Sequence, residues 1–258
     1  MPSIDAKLLR EALQAAERAA DRARQEILPR FRNVAVETKG DGSPVTEADR
    51  AAERVIREEL AAAYPEFGML GEEYGADEGA SGAPRWVVDP IDGTIAFSRG
   101  IPLFSTLIGL VVDDEAVLGL IDLPALDERI TGTLGSACLH NGRPVRCSQA
   151  TSFEGAIVSH GDPYCFERAG EQAAFERMAR EIPMLRGYTD AFGHTLVLTG
   201  AVDAMVDLGL KPWDAAATQA LVGLAGGACR SHRDRHGEIG LVLGSPALVE
   251  QLSRFLQG

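Results

Sequence analysis

Two aspartates that follow a short apolar run are the residues of this sequence best placed for chemistry. The run 86–88 is followed by Asp89, Pro90, Ile91 and Asp92, which predicts a buried strand that ends in a rigid turn. Since Pro90 fixes its own backbone and restricts Asp89, the two carboxylates can converge around the Ile91 carbonyl. Oxygen ligands of this kind suit Mg²⁺, which commonly leaves coordination positions for a substrate phosphate.

The next two residues extend the same interpretation. Gly93 and Thr94 offer backbone N–H groups and a hydroxyl at a predicted helix start, an arrangement suited to binding an anion. A type I turn is the alternative, because Asp, Pro and Gly are all common in such turns. Taken alone, the string 89–94 fits both a metal and phosphate site and an ordinary turn.

Other candidate acids lie at helix starts and turns, where a structural role is also sufficient. Thr46 precedes a predicted helix and Asp49 follows three residues later, as in a helix capping box. Glu72 and Glu73 occupy a predicted turn after a glycine, where adjacent acids are usually solvated. Asp214 lies in the first turn of a helix opened by a proline, where its charge complements the helix dipole. Spacing alone does not separate chemistry from structure at these positions.

The composition limits the class of protein. The chain has 258 residues, 45% of them hydrophobic, and no apolar run approaches the roughly 20 residues that a membrane span needs. The N-terminus lacks the basic-then-apolar pattern of an export signal, so a cytoplasmic location is expected. The four cysteines lack Cys-x-x-Cys spacing, which predicts buried thiols rather than zinc ligands or disulfides. A net charge of −13 disfavours nucleic acids and anionic membranes as partners.

Hydrophobic periodicity predicts helices alternating with strands, as in an α+β or α/β protein of layered helices and sheets. Before the aspartates we expect a helix at 5–28, a strand near 34–36, a flexible loop at 40–43, a helix from 46, a short strand to 70 and an exposed loop at 77–84. A β-meander at 104–112, 116–123 and 129–134 follows, and the segment 135–144 marks the passage into a second half. The second half is predicted to contain strands at 155–159, 201–207 and 239–243 and helices at 164–180, 190–199, 213–224 and 247–255.

The string 89–94 resembles, residue for residue, the Asp-Pro-Ile-Asp-Gly-Thr signature of the inositol monophosphatase family. Three further elements of that family occur in the expected order: Lys39 with Thr46-Glu47-Ala48-Asp49, Gly71-Glu72-Glu73, and Lys211-Pro212-Trp213-Asp214-Ala215-Ala216. The resemblance extends from about residue 35 to about residue 230, and four ordered elements make it specific.

The resemblance implies a fold and an activity. The fold would be the layered αβαβα sandwich of the inositol monophosphatase and fructose-1,6-bisphosphatase type, forming one compact unit. Its N-terminal half, 1–140, would carry most metal ligands, and its C-terminal half, 141–258, would carry Asp214 and the residues of substrate specificity. The activity would be hydrolysis of a small phosphomonoester by a homodimer with about two to three Mg²⁺ ions per active site.

The resemblance also assigns roles residue by residue. The metal ligands would be Glu72, Asp89, Asp92, Asp214 and the carbonyl of Ile91. Asp49 and Thr94 would activate the attacking water, and Gly93 and Thr94 would bind phosphate. Glu73 would either bind a third metal ion or support the metal ligands, and Lys39 would act from its loop. A carboxylate that accepts the Thr94 hydroxyl proton would orient the lone pair of that hydroxyl toward the water.

The substrate is expected to be histidinol phosphate. The stretch 93–97 resembles the Gly-Thr-x-x-Phe of the histidinol-phosphatase branch, because Ala96 replaces the asparagine typical of inositol monophosphatases. Asp190 occupies the acidic position of that branch's Gly-Asp-Cys-Tyr-Gly element, with departures at 189, 191 and 192, and Asp207 stands where the family has a substrate-contacting Glu. Two acids suit the amine and imidazole of histidinol.

Two alternatives stay open at this point. One is a phosphatase of the same family that acts on inositol 1-phosphate or on another small sugar or nucleotide phosphate. The other is a binding protein that keeps the fold without catalysis. Retention of every expected metal-binding and water-activating residue disfavours the second, since a pure binder would not need the whole set.

Overall fold

Helices cover the outer faces of the molecule and separate its two main sheets. The computed structural model describes residues 5–33, 36–38 and 44–256, so Lys39 and the predicted loop 40–43 lie outside the described residues. The helices are α1 (Ala6–Ile27), α2 (Glu47–Ala63), α3 (Thr94–Ser98), α4 (Pro163–Ala169), α5 (Gln172–Glu181), α6 (Asp190–Leu198), α7 (Pro212–Leu224) and α8 (Pro246–Phe255). Within the described ranges, none of them combines the length and apolar character that a membrane crossing requires.

The strands run through the whole chain. They are β1 (Val36–Thr38), β2 (Pro44–Thr46), β3 (Gly68–Gly71), β4 (Gly75–Asp77), β5 (Arg85–Asp92), β6 (Ser105–Val112), β7 (Glu115–Leu123), β8 (Glu128–Thr133), β9 (Leu139–His140), β10 (Arg143–Pro144), β11 (Val158–His160), β12 (Leu185–Arg186), β13 (Ala204–Leu210), β14 (Ala228–Arg233) and β15 (Ile239–Gly244).

Two sheets organise these strands. The larger has the order β10-β9-β8-β7-β6-β5-β3-β4 and the smaller has the order β12-β11-β13-β15-β14, while β1 and β2 form a separate pair. In the larger sheet β3 lies parallel to β5 and the other pairs are antiparallel. The predicted meander is confirmed as β6, β7 and β8, but 139–144 adds a hairpin to the larger sheet instead of only leaving it. The division at residue 140 stays a prediction.

Buried side chains bind these sheets and helices into five layers. The faces of α1 and α2 pack on one side of the larger sheet, where Ala16 and Ile56 belong to the same buried cluster as Val88. On its other side, α6 and α7 lie between the sheets, with Leu221 buried in the same cluster as Leu243. The helices α4, α5 and α8 cover the far face of the smaller sheet. This helix, sheet, helix, sheet, helix order confirms the predicted αβαβα arrangement.

One helix predicted as continuous is broken. Residues 164–180 form α4 and α5 rather than a single helix, because Gly170 adopts a left-handed conformation (φ 87°) at the end of α4. A left-handed residue after a helix satisfies its last carbonyls and stops its propagation, and glycine does so without steric cost.

Close packing of α7 on the larger sheet positions the functional site. A Cβ atom on Gly119 would lie 2.3 Å from the Ala217 carbonyl oxygen, and one on Gly109 would lie 2.9 Å from the Ala216 Cβ. Larger residues at these strand positions would therefore push α7 off the sheet. Because α7 lies so close, its first turn reaches the end of β5.

Candidate active site

A bulge at the end of β5 brings the two predicted aspartates together. The strand continues through Asp92, so the prediction of a turn directly after the apolar run is wrong. Asp89 pairs with Leu107 whereas Asp92 pairs with Ser105, which gives β5 one residue more than β6 over this stretch. Side chains three residues apart point to opposite faces of a regular strand. The extra residue of the bulge cancels that alternation and lets both carboxylates face one site.

Asp214 completes a group of three carboxylates. One oxygen from each of Asp89, Asp92 and Asp214 lies within 4.8 Å of the others. Asp214 is the third residue of α7, and its Oδ2 accepts a hydrogen bond of 2.7 Å from the Lys211 backbone N–H. Asp214 therefore caps the first turn of α7, where the sequence predicted that its charge complements the helix dipole, and its side chain also reaches Asp89. A structural role at the helix start does not take Asp214 away from the carboxylate group.

Hydrogen bonds from distant elements fix Asp92. Its Oδ2 accepts from the Ser105 hydroxyl at 2.8 Å and from the Ala191 backbone N–H at 2.9 Å. Ala191 is the second residue of α6, so the start of that helix is attached to the carboxylate group. Charge-assisted bonds of this kind are worth about 1.5–3 kcal/mol each. Sequence reasoning missed Ser105 and Ala191, because neither spacing nor residue type links them to Asp92.

Burial and mutual repulsion make this group unfavourable without a cation. Burial, followed by the charges of Glu72 and Asp92, raises the pKa of Asp89 well above its usual range. Burial, followed by Asp190 and Asp214, does the same to the pKa of Asp92. Burial also raises the pKa of Asp214 to about 7. Each of these shifts favours the protonated carboxyl, and a positive ion bound by the group would favour the ionised form instead.

The donor set fits Mg²⁺. All three side chains offer oxygen, and the cavity that contains them is also lined by Ile91. Hard divalent cations prefer carboxylate and carbonyl oxygens, whereas zinc prefers the nitrogen and sulfur that these three residues lack. The chemistry of the group therefore agrees with the cation predicted from the sequence.

One cavity of about 440 Å³ contains most of the predicted site. Its lining includes the predicted residues Glu72, Asp89, Ile91, Asp92, Gly93, Thr94, Asp190, Asp207 and Asp214. Sequence reasoning gave no role in the site to Asp162, Cys165 and Arg168 of the same lining. The prediction of buried thiols holds for Cys138 and Cys147 but is wrong for Cys165 and Cys229, which are half-buried. The cavity thus joins the carboxylate group to the two acids predicted to recognise substrate.

Asp49 serves two neighbours with its two oxygens. Its Oδ2 accepts from the Thr46 backbone N–H at 2.8 Å and from the Thr46 hydroxyl at 2.6 Å, which completes the predicted capping box. Its Oδ1 lies 3.4 Å from the Thr94 hydroxyl, which also lies 3.0 Å from the Ile91 carbonyl oxygen. A hydroxyl has one proton, so Thr94 donates to one of these acceptors at a time. The structural and the catalytic interpretations of Asp49 are therefore compatible.

The turn after β3 presents Glu72 to the cavity. Glu73, next in the turn, donates its backbone N–H to the carboxylate of Glu53 at 2.7 Å. The metal-binding role of Glu72 and the supporting role of Glu73 stay predictions.

Asp190 and Asp207 lie in the same cavity, and a histidine holds one of them. Asp190 begins α6 with a left-handed backbone (φ 58°), a conformation that few residues other than Gly, Asn and Asp tolerate. Burial and the nearby charge of Asp207 raise the pKa of Asp190 to about 6. His194 lies one turn further along, with Nε2 3.1 Å from Asp207 Oδ2 and Nδ1 2.9 Å from the Thr218 hydroxyl oxygen. Sequence reasoning missed His194, although its four-residue spacing from Asp190 was a usable signal.

Comparison with known proteins decides the family. A model of the inositol monophosphatase family matches residues 8–254. The chain belongs to the inositol monophosphatase family. A histidinol-phosphatase from Chlorobaculum parvum is 37% identical over 247 residues, which cover 93% of this chain and 94% of that relative. An inositol-1-monophosphatase from Mesorhizobium japonicum is 36% identical over 225 residues, which cover 85% of this chain and 84% of that relative.

A solved structure supports both the fold and the activity. The inositol monophosphatase of Zymomonas mobilis matches with a TM-score of 0.84 at 32% identity and covers 99% of this chain and 100% of that chain. Members of the inositol monophosphatase family are phosphatases that hydrolyse phosphomonoesters and depend on Mg²⁺ in general. This chain is therefore a phosphoric monoester hydrolase, as the sequence predicted.

Proposed function

We propose that the chain is a Mg²⁺-dependent histidinol-phosphate phosphatase, which converts L-histidinol phosphate and water to L-histidinol and phosphate in histidine biosynthesis. The observation that carries this proposal is the position of two acids, the half-buried Asp190 and the buried Asp207, in the cavity that holds the carboxylate group. The similarity to the histidinol-phosphatase of Chlorobaculum parvum supports it. Inositol 1-phosphate is the second candidate, favoured by the similar identity to the Mesorhizobium enzyme.

Electrostatics favour a cationic leaving group. Burial raises the pKa of Asp190 to about 6, which makes the ionised carboxylate less favourable. A substrate amine or imidazolium close to Asp190 would favour the ionised carboxylate. The Oδ2 of Asp207 lies at hydrogen-bonding distance from His194 Nε2, and this contact fixes the carboxylate in the cavity before substrate binds. Each charge-assisted hydrogen bond to such a cation would be worth about 1.5–3 kcal/mol. A neutral polyol would gain less from the same two acids.

The residues of this chain would divide the reaction between them. Asp89, Asp92, Asp214, Glu72 and the Ile91 carbonyl would hold about two to three Mg²⁺ ions, which neutralise phosphate charge and stabilise the leaving oxygen when bound. If the Ile91 carbonyl is a metal ligand, Thr94 would donate its proton to Asp49 instead, and a lone pair of its hydroxyl would be available to the attacking water. The N–H groups of Gly93 and Thr94 would bind the phosphate oxygens.

Substrate choice is tested by measuring kcat/KM for three phosphate esters on the wild type and on a variant of Asp190. We expect wild-type kcat/KM to be higher for L-histidinol phosphate than for inositol 1-phosphate. Asp190→Asn should lower kcat/KM for histidinol phosphate about 10- to 100-fold, because it removes one charge-assisted contact. It should spare p-nitrophenyl phosphate, which reports on the metal site alone. Asparagine is the suitable replacement because it tolerates the left-handed backbone of residue 190.

The matched control is Asp113→Asn, an exposed aspartate that is also left-handed (φ 49°) and lies in the turn between β6 and β7. This control should leave all three kcat/KM values unchanged. A wild-type preference for inositol 1-phosphate would contradict the histidinol proposal and favour the second candidate. An equal loss on all three esters in Asp190→Asn would instead make Asp190 a structural residue.

Two further parts of the proposal concern the protein as a whole. The resemblance to the family implies a homodimer, and the sequence predicts a cytoplasmic location. Size-exclusion chromatography with light scattering checks the first, and fractionation of the source cells checks the second.

Protonation of the carboxylate group predicts an unusual pH dependence of stability. The pKa of Asp214 is raised from 3.8 to about 7 in the folded chain. Between about pH 3.8 and about pH 7 the folded state therefore binds more protons than the unfolded state. The contribution of Asp214 to stability is complete below about pH 3.8 and is lost as the pH rises through about 7. We expect the Tm of metal-free wild type to fall between about pH 5 and about pH 8, and to fall less in Asp214→Asn.

Added Mg²⁺ should raise the wild-type Tm most at the higher pH, where the ligands are ionised. Thermal unfolding in EDTA and in Mg²⁺ measures both effects. Identical pH dependence in wild type and Asp214→Asn would show that this carboxyl titrates normally.

A further inference from the structure

Glu53 is a buried acid that neither the motifs nor the proposed chemistry uses. It lies on α2, four residues after Asp49 and therefore on the same face of that helix. Its side chain is 0% exposed. Burying a carboxylate is costly unless the group is paired and hydrogen-bonded. The groups that bind it therefore indicate what it does.

Those groups belong mainly to the turn 72–74. Oε2 of Glu53 accepts the Glu73 backbone N–H at 2.7 Å, and Oε1 accepts the Tyr74 backbone N–H at 3.2 Å. Oε1 also accepts from Arg57 Nε at 2.7 Å. One carboxylate thus holds two consecutive N–H groups directly after Glu72, and an arginine on the same helix balances its charge.

The same turn is attached on two other sides. The backbone N–H of Glu72 donates to the carbonyl of Val88, the residue that precedes Asp89, at 3.3 Å. Arg57 continues beyond Glu53 to the Asp77 carboxylate at 2.7 Å, on the strand that follows the turn. The backbone of Glu72 is therefore fixed between β5 and α2. Its side chain is close enough to Asp89 for its charge and a hydrogen bond to raise the pKa of that acid.

Gly71 leaves room for this arrangement. A Cβ atom at residue 71 would lie 2.0 Å from Glu53 Oε1 and 2.8 Å from Arg57 Nη2. No side chain fits at such distances, so the carboxylate occupies the space that a larger residue would need. The glycine of the Gly71-Glu72-Glu73 element is explained by Glu53 rather than by any need for flexibility.

We infer that Glu53 is a positioning residue that holds the turn 72–74 and so aims Glu72 into the cavity beside Asp89. This inference rests on the proposed function, since it takes Glu72 as a Mg²⁺ ligand. Groups that orient a metal ligand without touching the metal typically change metal affinity about 10- to 100-fold when removed. Loss of Glu53 should therefore be seen first in Mg²⁺ binding and only secondarily in the chemical step.

Glu53→Gln tests the inference. Glutamine keeps the shape of the side chain, but its amide nitrogen cannot accept, so an N–H group of the turn loses its partner. Arg57 loses the buried one of its two carboxylate partners and keeps the exposed Asp77. We expect the Mg²⁺ concentration for half-maximal activity to rise about 10- to 100-fold, with kcat largely recovered at saturating Mg²⁺. Calorimetric titration of the metal-free protein with Mg²⁺ alone should show the same loss of affinity without any substrate.

Glu59→Gln is the matched control, because Glu59 lies on the same helix as Glu53 but pairs with Arg18 of α1, at 2.8 Å, away from the turn. It should leave Mg²⁺ affinity unchanged. Gly71→Ala is the second variant: it keeps the charge of Glu53 but displaces the carboxylate, and it should weaken Mg²⁺ binding in the same way. It also decides the question if Glu53→Gln does not fold.

The outcomes separate the inference from the proposed function. Wild-type Mg²⁺ affinity in the variants, with only a lower Tm, would make Glu53 a stability residue and overturn the inference alone. A wild-type enzyme whose activity does not require Mg²⁺ would overturn the proposed function, and this inference with it. The inference is supported if Glu53→Gln and Gly71→Ala both bind Mg²⁺ more weakly than the wild type and Glu59→Gln binds it equally well.

Discussion

Replacing Asp92 by Asn is expected to lower kcat/KM about a thousandfold or more while the protein remains folded. Asp92 is one of three converging carboxylates, and its Oδ2 is held by Ser105 and Ala191. Losing its charge weakens the Mg²⁺ that neutralises the phosphate, and several kcal/mol of such stabilisation correspond to roughly this factor in rate. Steady-state hydrolysis of p-nitrophenyl phosphate over a range of Mg²⁺ concentrations measures the effect.

Thermal stability should move in the opposite direction. Burial and neighbouring acids raise the pKa of Asp92, so the charged group is unfavourable in the metal-free fold. Removing the charge should leave the Tm of the metal-free protein equal or higher. The same substitution in an ordinary buried ion pair would lower it, since one partner would be left unpaired.

Asp122→Asn is the matched control for this experiment. Asp122 is a buried aspartate on the same sheet, but it is bound by Arg24 at 2.7 Å and by Arg129 at 2.6 Å. Asp122→Asn should reduce the Tm and leave kcat/KM nearly intact, the reverse of Asp92→Asn. If Asp92→Asn hydrolysed the ester at the wild-type rate in saturating substrate, the assignment of the metal site would be wrong.

The site residues that the sequence predicted are those whose chemical groups and local structural signals lie close together in the chain. Asp89 and Asp92 were recognisable because acids, proline and glycine follow an apolar run within nine residues, from 86 to 94. Asp214 and Asp49 were recognisable because each lies at a helix start, where a cap and a ligand require the same residue type. In these cases the structural and functional interpretations proved compatible, because a carboxylate has two oxygens.

The rest of the site depends on contacts that no single string carries. The bulge in β5 is defined by its register with β6, and the bond from Ala191 to Asp92 joins residues 99 positions apart. In the sequence, His194 and Glu53 look like ordinary helical residues. Their roles are visible only in the structure, where His194 contacts Asp207 and Glu53 contacts the turn 72–74. Positioning groups are therefore harder to predict than ligands, since their partners are distant in sequence.

Substitution of Thr94 or Asp49 should reveal that the two act as a unit. Thr94→Ala and Asp49→Asn are each expected to lower kcat about 10²- to 10⁴-fold, because each removes one half of the pair that orients the attacking water. The double variant should be little worse than either single one, since groups that act together are not additive. Thr94→Ser keeps the hydroxyl and should retain most activity. Values of kcat at saturating Mg²⁺ and substrate give the comparison.

Stability distinguishes this unit from a simple helix cap. Asp49 accepts two hydrogen bonds from Thr46 at the start of α2, so Asp49→Asn should also cost about 1 kcal/mol of unfolding free energy, as lost caps do. Thr94→Ala removes no part of that cap and should leave stability nearly unchanged while kcat falls. Losses in kcat that multiply in the double variant would mean that Asp49 acts only as a cap. Non-additive kcat losses together with a stability loss confined to Asp49→Asn follow if one oxygen of Asp49 holds the helix and the other receives the Thr94 proton.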